Sequence, residues 1–592
     1  MSARRVRAVG ERAFLVECAG LTEVLGLQAA LAAEPPPGLV ESLPAARTLL
    51  VTATDRRARD RLTALLRELP AGSTRATGGD VVTIDTVYDG EDLAAVASLT
   101  GLSEEGVIAA HTGQLWTAAF GGFAPGFAYL VGEDGALEVP RHATPRTTVP
   151  QGAVALAGRF SAVYPRPSPG GWQLIGRTAA PMWDLDRDPP ALLRPGHRVR
   201  FRAMRELVTA RPTATGDAAG GDPSHHAPAS SPPSTRREPS CPAQRSSPSA
   251  PSTRRELSSS ARRSAPSAPS GRRELDRSPR DPALGAHREA GLAQADVPDS
   301  SRGLTVVAPG VQSLVEDLGR PGRLDLGVSR SGAADRGSAR QANRLVGNER
   351  DAAVVEAVLG GLELQAQGHQ VLAVCGARVP LTVTDGDGAE TARPPTDAPF
   401  LLPDGHVLRL GQPDSGFRAY VAVRGGVAVP PVLGSRSTDL LSGIGPSPLA
   451  VGTLLPVGPA PGAAVGGPEP AREVPTGPVV DVEVVLGPRA DWVTEESRDR
   501  LLDQEWTVSE RSNRVGLRLE GAPLERATEE ELASEGTVAG AVQLPADGRP
   551  VVFLADHPVT GGYPVLAVVV DEDLDLLAQL RPGTRLRFRA QG

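Results

Sequence analysis

Three short sequence blocks occur twice in this chain, in the same order and at similar spacings. The first copy consists of Gly152-Ala-Val-Ala-Leu156, Pro169-Gly-Gly-Trp-Gln-Leu-Ile175 and Leu193-Arg-Pro-Gly-His-Arg-Val-Arg-Phe-Arg202. The second consists of Gly540-Ala-Val-Gln-Leu544, Thr560-Gly-Gly-Tyr-Pro-Val-Leu566 and Leu580-Arg-Pro-Gly-Thr-Arg-Leu-Arg-Phe-Arg589. Because chance explains three matched blocks poorly, the repeat indicates one small β-barrel domain that is used twice. The last block alternates arginine with apolar residues, as expected of a closing barrel strand with its apolar side chains inward.

A segment near the middle of the chain separates two globular modules, which agrees with a length too great for one hydrophobic core. Residues 209–302 are rich in Ser, Pro and Arg and poor in aliphatic residues, so they cannot bury enough apolar surface to fold. A Pro-Ser-X-Arg-Arg-Glu unit ends at Glu238, Glu256 and Glu274, but it has no apolar face with which to stack as a solenoid. We expect a disordered, solvated tether, although its arginines leave contact with RNA or an acidic surface open.

The first module changes its sequence pattern at about residue 79. Residues 1–79 predict a small α/β subdomain with strands near 13–16 and 48–52 and helices near 23–33 and 55–69. Leu62, Leu65, Leu66 and Leu69 fall on one face of the second helix. Residues 80–208 predict short strands near 81–88, 153–157, 173–175 and 199–201, with helices near 89–100 and 103–111. Ser103 and the two acids after it favour the start of the last helix.

The second module, residues 303–592, is also rich in predicted strands. Apolar runs predict buried strands near 371–374, 420–423, 482–486, 551–554 and 565–570, and one helix is predicted near 334–346. An Ala/Pro/Gly stretch at 456–475 divides the module into two β-rich halves, about 303–460 and 476–592. We therefore expect an α+β fold that is mainly β, with a barrel in each module and a small α/β subdomain at the N-terminus.

The absence of lysine excludes several kinds of site. All 62 side chains counted as lysine or arginine are arginine, so the chain offers no P-loop lysine, no Schiff-base lysine and no lysine for biotin attachment.

The formal net charge of −8 does not favour a nucleic-acid partner, and no apolar run approaches the ~20 residues that cross a bilayer. The N-terminus lacks the apolar core of a secretory signal, and three scattered cysteines indicate neither disulfides nor zinc. A cytoplasmic protein is expected.

The segment 121–130, with the sequence Gly-Gly-Phe-Ala-Pro-Gly-Phe-Ala-Tyr-Leu, is the most aromatic part of a chain that has few aromatic residues. Gly126 lets a ligand approach the backbone closely, and Phe123 and Phe127 exclude water from such a site. The alternative is a tight turn between strands with its aromatic side chains in the core. Sequence alone leaves both interpretations open.

Two further loops of the first module carry candidate binding residues. Arg141 and Arg146 lie in a proline-stiffened loop, where they form either a fork for a carboxylate or phosphate or a pair of surface arginines. A glycine-rich loop and the strand after it add Gly170, Gly171, Trp172 and Arg177. Because all three loops belong to one small barrel, we expect them to meet at one rim and form a binding site.

The second module contains a denser set of polar candidates. Asp317 and Arg320 share a loop, and Asp335 either caps the predicted helix or belongs to a site. His557 follows Asp556 and is either a general base or part of a turn, since a proline comes next. The predicted helix carries Asn343 and ends at Gly347-Asn348. The remaining candidates are Asn513, Arg514, Glu535, Gln543, Thr560, Gly561, Gly562 and Tyr563. No G-x-S-x-G, H-E-x-x-H or C-x-x-C motif indicates a known triad or zinc hydrolase.

These segments resemble those of a known family. Module one resembles the B subunit of bacterial ATP-dependent 5-oxoprolinase, also called allophanate hydrolase subunit 1, at 122–130, 140–141, 145–146, 149–150, 164–165, 169–172 and 176–178. Module two resembles the C subunit, or allophanate hydrolase subunit 2, at 317–320, 332–335, 343, 347–348, 356, 512–514, 518–521, 534–536, 556 and 560–563. The chain departs from the C pattern at Glu316, where glutamine is usual, and at His557-Pro558. It departs from both in being one fused chain with a long insert.

The resemblance implies cyclophilin-like barrels and a complex with a separate A subunit. That complex opens the lactam of 5-oxo-L-proline to glutamate, coupled to ATP hydrolysis; B and C are thought to phosphorylate the lactam and A to complete hydrolysis. Arginines and glycine-loop amides suit the developing phosphate charge, and Mg²⁺ is expected with ATP, held by acids such as Asp317 or Asp335. The implied catalytic candidates are Arg146, Asp317, Arg320, Asp335 and Asp556. The other candidates named above, together with Glu356, are assigned to substrate or nucleotide binding, and a homo-oligomer stays open.

Two other functions fit the same resemblance. The paired domains are similar to the carboxyltransferase part of biotin-dependent urea carboxylase, but without lysine the biotin would have to be on another chain. Some B-type members of the family are sporulation-kinase inhibitors, which gives a binding module instead of an enzyme. Fusion to a complete C-like module argues against inhibition alone.

Overall fold

The computed structural model describes residues 4–70, 81–142, 144, 146–206, 302–474 and 476–591. The predicted tether at 209–302 lies outside the described residues, apart from its last residue. Both modules belong to one compact unit, which is formed by residues 1–209 and 297–592.

The N-terminal subdomain is a four-stranded antiparallel sheet with two helices on one face. Its strands β1 to β4 are Val6–Val9, Ala13–Glu17, Leu39–Pro44 and Thr48–Ala53, in the order β1-β2-β4-β3. Its helices are α1, Leu21–Ala33, and α2, Arg56–Glu68. Leu62 and Leu66 of α2 are buried, but Leu65 is 41% exposed, so the prediction of one four-leucine face was wrong at that position. The sheet covers a narrower stripe of the helix than the leucines span.

Barrel one follows, and its seven-stranded sheet has the order β12-β9-β10-β7-β6-β13-β5. A bridge between Val87 and Arg177 joins its two edges, and the short strands β8 and β11 pair outside it. Its elements are β5 (Val81–Thr86), α3 (Leu93–Thr100), α4 (Glu104–Gly113), β6 (Trp116–Gly121), β7 (Ala128–Gly132), β8 (Arg146–Val149), β9 (Ala153–Ala157), β10 (Phe160–Val163), β11 (Ser168–Gly170), β12 (Gln173–Arg177) and β13 (Arg198–Ala203).

Helix α4 begins as predicted, because Ser103 Oγ accepts a hydrogen bond from the Gly106 amide at 3.1 Å. In the part of the chain that the structure describes, no single helix is long and apolar enough to cross a membrane. Only α3 and α4 taken together have the length and apolar composition of a membrane-spanning helix, and the two helices are bent by 86° at the break between them.

The first half of module two is a β-sandwich that the sequence did not predict. Its sheets have the orders β20-β19-β22-β17-β14-β24 and β15-β16-β23-β18-β21, and residues of both sheets share one apolar core. Its elements are β14 (Gly303–Pro309), β15 (Gln312–Glu316), α5 (Arg336–Leu345), β16 (Val354–Val358), β17 (Leu362–Gln367), β18 (Gln370–Arg378), β19 (Leu381–Thr384), β20 (Glu390–Ala392), β21 (Pro399–Leu402), β22 (Val407–Leu410), β23 (Ser415–Val423) and β24 (Leu454–Pro456).

Barrel two closes completely, in the order β25-β32-β29-β30-β27-β26-β33. The short strands β28 and β31 pair outside it. Its elements are β25 (Val479–Leu486), α6 (Glu495–Asp503), β26 (Trp506–Val508), β27 (Gly516–Glu520), β28 (Glu535–Gly536), β29 (Ala541–Gln543), β30 (Val551–Phe553), β31 (Thr560–Gly561), β32 (Val565–Val569), α7 (Leu574–Leu577) and β33 (Arg585–Ala590).

The duplicated barrel predicted from the repeat is confirmed. In each copy the last strand pairs in parallel with the first, β13 with β5 and β33 with β25. In β33, Leu586 and Phe588 are fully buried, while the alternating Arg585, Arg587 and Arg589 are exposed or partly exposed, as the alternation predicted. An equivalent tryptophan donates to the end of the preceding helix in both, Trp116 to His111 O at 2.9 Å and Trp506 to Leu501 O at 3.1 Å.

The N-terminal subdomain also joins the two modules. The face of its sheet opposite the helices packs on barrel two, with Leu15 and Leu50 in one apolar cluster with Val565 and Val568. Arg489 of barrel two extends this contact by an ion pair with Glu17 at 2.6 Å. This packing brings the loop ends of the two barrels together.

Candidate functional site

The glycine–aromatic loop between β6 and β7 packs into barrel one and contacts module two. Phe127 is buried, with its ring centroid 5.3 Å from Tyr164 and 5.5 Å from Trp172, so the core placement of these aromatics is observed. Gly126 has a φ of 78°, which favours glycine, and its amide donates to Leu326 O of module two at 3.2 Å. Phe123, also at positive φ, is less buried than Phe127. The loop thus has both a packing role and an exposed edge.

Five residues from both modules meet where the barrels touch, and we call them the inter-barrel seam: Phe123, Tyr129, Arg141, Ser534 and Thr560. The Phe123 amide donates to Thr560 Oγ1 at 2.9 Å. The hydroxyl groups of Tyr129 and Ser534 are 3.3 Å apart, and Arg141 Nη2 donates to Ser534 Oγ at 3.3 Å. The glycine–aromatic loop of barrel one therefore faces the Gly-Gly loop of barrel two across a hydrogen-bonded boundary.

Arg141 is the cationic group of the seam and remains partly accessible. Its guanidinium lies 3.1 Å from Glu531, and their side chains are 29% and 56% exposed. A Cβ atom on Gly562 would lie 2.8 Å from Arg141 Nη1, so glycine at this position makes room for the guanidinium. Because an exposed pair of this kind is weak, Arg141 can exchange Glu531 for an anionic ligand.

Arg146 does not form a free fork with Arg141 but pairs with Asp92. Its Nη2 donates to both carboxylate oxygens of Asp92 at 2.7 and 2.8 Å. Burial raises the pKa of Asp92, but the Leu174 amide and then the Arg146 guanidinium outweigh this effect, so the pKa lies below its usual value. The observed contacts of Arg146 are those of a residue that positions the rim of the barrel.

The three glycine- or proline-rich loops of module one contact one another as predicted, and the first reaches the third through Phe127 and Trp172, whose ring centroids are 5.5 Å apart. The His142 amide donates to Gly171 O at 2.7 Å, and Arg146 Nη1 donates to Trp172 O at 3.3 Å. Gly170 pairs with Arg146 between β11 and β8. Arg177 does not join them, since it pairs with the exposed Asp89 at 2.8 Å.

Arg514 is the centre of a buried ion cluster in module two. Its Nε and Nη2 donate to both oxygens of Asp556 at 2.9 Å, and its Nη1 donates to Glu356 at 2.6 Å. Its Nη2 also donates to Gly332 O at 2.7 Å, which ties the loop before α5 to barrel two. Arg514, Glu356 and Asp556 are each at most 1% exposed, so none of them can contact a ligand in this conformation.

Glu316 and Arg320 border this cluster, and Glu316 lies 3.3 Å from Arg514 Nη2 as an ion pair without hydrogen-bond geometry. Both carboxylate oxygens of Glu316 lack a hydrogen-bond partner among the described residues, as do Nε and Nη1 of Arg320. Burial raises the pKa of Glu316 well above its usual value; Arg514 opposes this rise, and Glu356 adds to it.

The oxygens of Asp317 and Asp335 are occupied by protein donors. Asp317 accepts bonds from the hydroxyl groups of Ser435 and Ser437, each at 2.6 Å. Asp335 accepts from the Ser338 amide at 2.8 Å and caps α5, so the capping alternative is observed. Among the residues that the structure describes, no group of three or more His, Cys, Asp or Glu is arranged to hold a metal ion. Neither aspartate therefore fits the expected role of magnesium ligand.

The other polar candidates of module two make local bonds. Asn343 donates to Ala352 O at 2.7 Å, and Asn348 donates to Asn343 Oδ1 at 3.0 Å, which fixes the turn after α5. Asn513 accepts from the Val515 amide at 2.9 Å in an exposed turn. The structure brings none of these three residues to the seam, and a site role for them stays a prediction.

The candidates of the Gly-Gly loop in barrel two support its shape. Gln543 donates to Tyr563 O at 3.2 Å, and Gly561 pairs with Glu535 between β31 and β28. Glu535 in turn forms an ion pair with Arg489. These contacts hold the loop that ends in the seam.

His557 does not pair with the Asp556 carboxylate, which Arg514 binds instead. The His557 ring stacks on Phe553 with centroids 5.7 Å apart, and Nδ1 lies 2.9 Å from Pro558 O. Burial lowers the pKa of His557 below its usual value. These contacts agree with the turn alternative.

A cavity of about 270 Å³ lies where three parts of the protein meet. Four arginines line it, and we call it the four-arginine cavity: Arg12 of the N-terminal subdomain, Arg330 of the loop before α5, and Arg336 and Arg340 of α5. Barrel two contributes the wall from Phe553 to Ala555, and Asp571 and Asp575 are the acids of the lining. Sequence reasoning missed it, because Arg12 and the barrel-two wall are far in the chain from the other three arginines, which carry no motif.

The sequence analysis also missed the partners that hold the predicted residues. Asp92 holds Arg146, and Tyr420 Oη donates to Glu356 at 2.8 Å inside the buried cluster. Gln579 donates to Asp335 at 2.8 Å across 244 positions. Each lies in a segment whose sequence predicts an ordinary helix or strand, so no local signal could identify it.

Comparisons with known proteins agree with this architecture. Residues 4–193 match the model for the carboxyltransferase domain, subdomain C and D, and residues 326–590 match that for the carboxyltransferase domain, subdomain A and B. The chain belongs to the carboxyltransferase-domain family. The C subunit of 5-oxoprolinase from Escherichia coli (strain K12) is 35% identical over 288 residues, which cover 48% of this chain and 90% of that protein. The B subunit of 5-oxoprolinase from Escherichia coli O157:H7 is 39% identical over 177 residues, which cover 29% of this chain and 81% of that protein.

A solved structure is similar to nearly the whole of this chain. The crystal structure of TTHA0988 is 34% identical with a TM-score of 0.73 and covers 98% of this chain and 99% of that chain. Urea amidolyase of Lachancea kluyveri is 30% identical over 312 residues, but these make up only 16% of that protein. The chain is therefore homologous, in sequence order, to the B and C subunits of 5-oxoprolinase, consistent with their fusion.

Proposed function

We propose that this chain supplies the B and C components of an ATP-dependent 5-oxoprolinase. In this proposal the carbonyl oxygen of 5-oxo-L-proline attacks the γ-phosphorus of ATP and releases ADP. A separate A-type subunit then adds water to the phosphorylated carbon, and the ring C–N bond breaks to leave γ-glutamyl phosphate. A second water hydrolyses this acyl phosphate to glutamate and phosphate. Phosphorylation makes a poor electrophile reactive, since phosphate is a good leaving group.

The inter-barrel seam is the observation that carries this proposal. The Phe123 amide donates to Thr560 Oγ1 at 2.9 Å. The two modules, which are homologous to two different subunits, therefore form one boundary within a single chain. Arg141, partly exposed beside backbone amides, offers the positive charge that a phosphorylated lactam needs. The seam is therefore the proposed lactam site, with aromatic side chains of module one next to it. Any Mg²⁺ that accompanies ATP would be held by phosphate oxygens and water, because Asp317 and Asp335 are occupied.

Release of ADP tests the proposal directly. The purified chain mixed with an A-type 5-oxoprolinase subunit is expected to release ADP when 5-oxo-L-proline is present and not when it is omitted. ATP turnover that is independent of 5-oxoproline would contradict the proposal, and so would a lack of turnover in every reconstitution.

A carboxyltransferase role in a biotin-dependent pathway is the second candidate, favoured by the match to urea amidolyase, which covers 48% of the chain. The chain has no lysine, so that reaction requires biotin on another protein. Transfer of a carboxyl group from a carboxybiotin carrier to urea, with no ADP release by this chain, is the result that would favour it.

A further inference from the structure

The charges of the four-arginine cavity are not balanced by its own acids. Asp571 pairs with Arg12, and Asp575 accepts bonds from the amides of Arg336 and Gly337 at 2.9 and 3.0 Å. Four arginines thus face two aspartates that are already bonded. Among the described residues, the guanidinium groups of Arg336 and Arg340 form no ion pair with an acid, in a chain whose net charge is −8.

Concentrating these cations is unfavourable without a ligand. Burial, followed by the positive charge of Arg330, lowers the pKa of Arg336 to about 10, although Asp575 opposes this shift. Guanidinium groups bind phosphate oxygens through charge-assisted bonds, and several of them together require a ligand with more than one negative charge.

The wall of the cavity is held rigidly from behind. Ser331 Oγ donates to Asp556 at 2.6 Å, and Arg514 Nη2 donates to Gly332 O at 2.7 Å, so the buried ion cluster fixes the segment that leads from Arg330 into α5. The arginines are therefore presented on a preformed surface, which lowers the entropy cost of binding.

The volume of the cavity and its position indicate which part of a ligand it holds. About 270 Å³ lies below the usual range of small-molecule pockets, so the cavity suits a chain of phosphates better than a whole nucleotide. Ala555 lines the cavity and Thr560 belongs to the seam. Five residues span at most ~18 Å, so one short loop connects the two places.

We propose that the four-arginine cavity binds the oligophosphate chain of a nucleoside triphosphate. The choice of ATP as the source rests on the proposed function, whereas the oligophosphate chemistry rests on the cavity alone. Free pyrophosphate or tripolyphosphate carries the same linked phosphate groups. A comparison of binding affinities distinguishes these free ions from the nucleotide.

Calorimetric titration of the full chain with ATP, tripolyphosphate and adenosine tests this site without any turnover. ATP and tripolyphosphate are expected to bind, adenosine is not, and both affinities fall as salt is added. Arg340→Gln and Arg336→Gln are each expected to weaken binding of both phosphates about tenfold or more, because each removes a charge-assisted contact. If tripolyphosphate binds far more tightly than ATP, free oligophosphate replaces the nucleotide as the ligand and the nucleotide assignment is overturned.

Two further variants keep the test decisive. Arg344→Gln changes an exposed arginine of the same helix that pairs with Glu469 outside the cavity, and it should bind like the wild type. Asp575→Asn removes a competing negative charge and is expected to tighten binding about threefold or more. If Arg336→Gln and Arg340→Gln both unfold normally and bind the phosphates with wild-type affinity, the cavity is not a phosphate site. If these variants also retain 5-oxoproline-dependent ADP release, the proposed 5-oxoprolinase function stands without a phosphate site in the cavity.

Discussion

The two barrels share one order of strands but fill equivalent loops with opposite chemistry. In barrel one, the loop before β7 and the loop after β10 meet through an aromatic contact between Phe127 and Tyr164, at 5.3 Å. In barrel two, the loop before β27 and the loop after β30 meet through the ion pair of Arg514 with Asp556, at 2.9 Å. The repeated blocks therefore maintain the scaffold, while the residues between them determine what each copy does.

This difference has a physical consequence for stability. An aromatic contact responds to shape and volume and is insensitive to pH, whereas a buried ion cluster depends on the protonation of every member. Barrel one is expected to tolerate apolar exchanges of similar volume. Module two is expected to lose stability whenever one charge of the cluster is left without its partner.

The largest effect is expected for Arg514→Met. This change leaves the buried carboxylate of Asp556 without its cation and leaves Glu356 with only Arg418, 3.4 Å away. It should lower the free energy of unfolding by about 3–5 kcal/mol. Urea unfolding followed by circular dichroism measures it. A loss below about 1 kcal/mol would show that the cluster does not hold module two together.

Arg146→Gln is expected to cost about 2 kcal/mol. It removes the bidentate partner of the buried Asp92, although the arginine itself is 23% exposed and solvent reduces the loss. Arg177→Gln is the matched control in the same barrel, and its exposed pair with Asp89 should contribute less than about 0.5 kcal/mol. Equal losses in the two variants would contradict the positioning role of Arg146.

Phe127→Leu is expected to cost about 1–2 kcal/mol, because it removes aromatic contacts but keeps most of the buried volume. The loss should be the same at pH 5 and pH 8, since no titrating group is involved. Thermal unfolding at both values measures it, and a clear pH dependence would remove the distinction between the barrels.

Glu316→Gln is expected to have the smallest effect, one that changes with pH. The pKa of Glu316 is raised in the folded state, so the stability that its proton provides is present below the usual value of 4.5 and is lost as the pH rises towards the folded pKa. The free energy of unfolding of the variant should equal that of the wild type near pH 4.5 and should be about 1 kcal/mol higher than that of the wild type at pH 8. A constant difference across this range would mean that Glu316 stays ionised.

The sequence predicted the parts of the fold that depend on local patterns. The closing strand near Phe588, the Ser103 cap and the meeting of the three loops of module one are confirmed. The sandwich at 303–460 was not predicted, because its pairings join distant strands whose short apolar runs are alike. Leu65 was misplaced because periodicity does not reveal how wide a stripe the sheet covers.

The candidate site was less predictable than the fold. Sequence identified Arg141, Arg514 and Thr560, but the contacts that separate them into a seam and a buried cluster come from tertiary packing. Arg514 reaches Glu356 across 158 positions, and Arg12 meets the start of α5 across more than 300. Such distances carry no periodic signal, so only the folded chain shows which charges are paired.

The central claim is that the seam between the barrels is the lactam site, and Arg141 is its most direct test. The measurement is 5-oxoproline-dependent ADP release, in the presence of an A-type 5-oxoprolinase subunit, for the wild type, Arg141→Gln and the exposed control Arg159→Gln. We predict that Arg141→Gln lowers kcat/KM at least tenfold and changes the free energy of unfolding by less than about 0.5 kcal/mol. Arg159→Gln is expected to have the kcat/KM of the wild type. Wild-type kcat/KM in Arg141→Gln would contradict the claim.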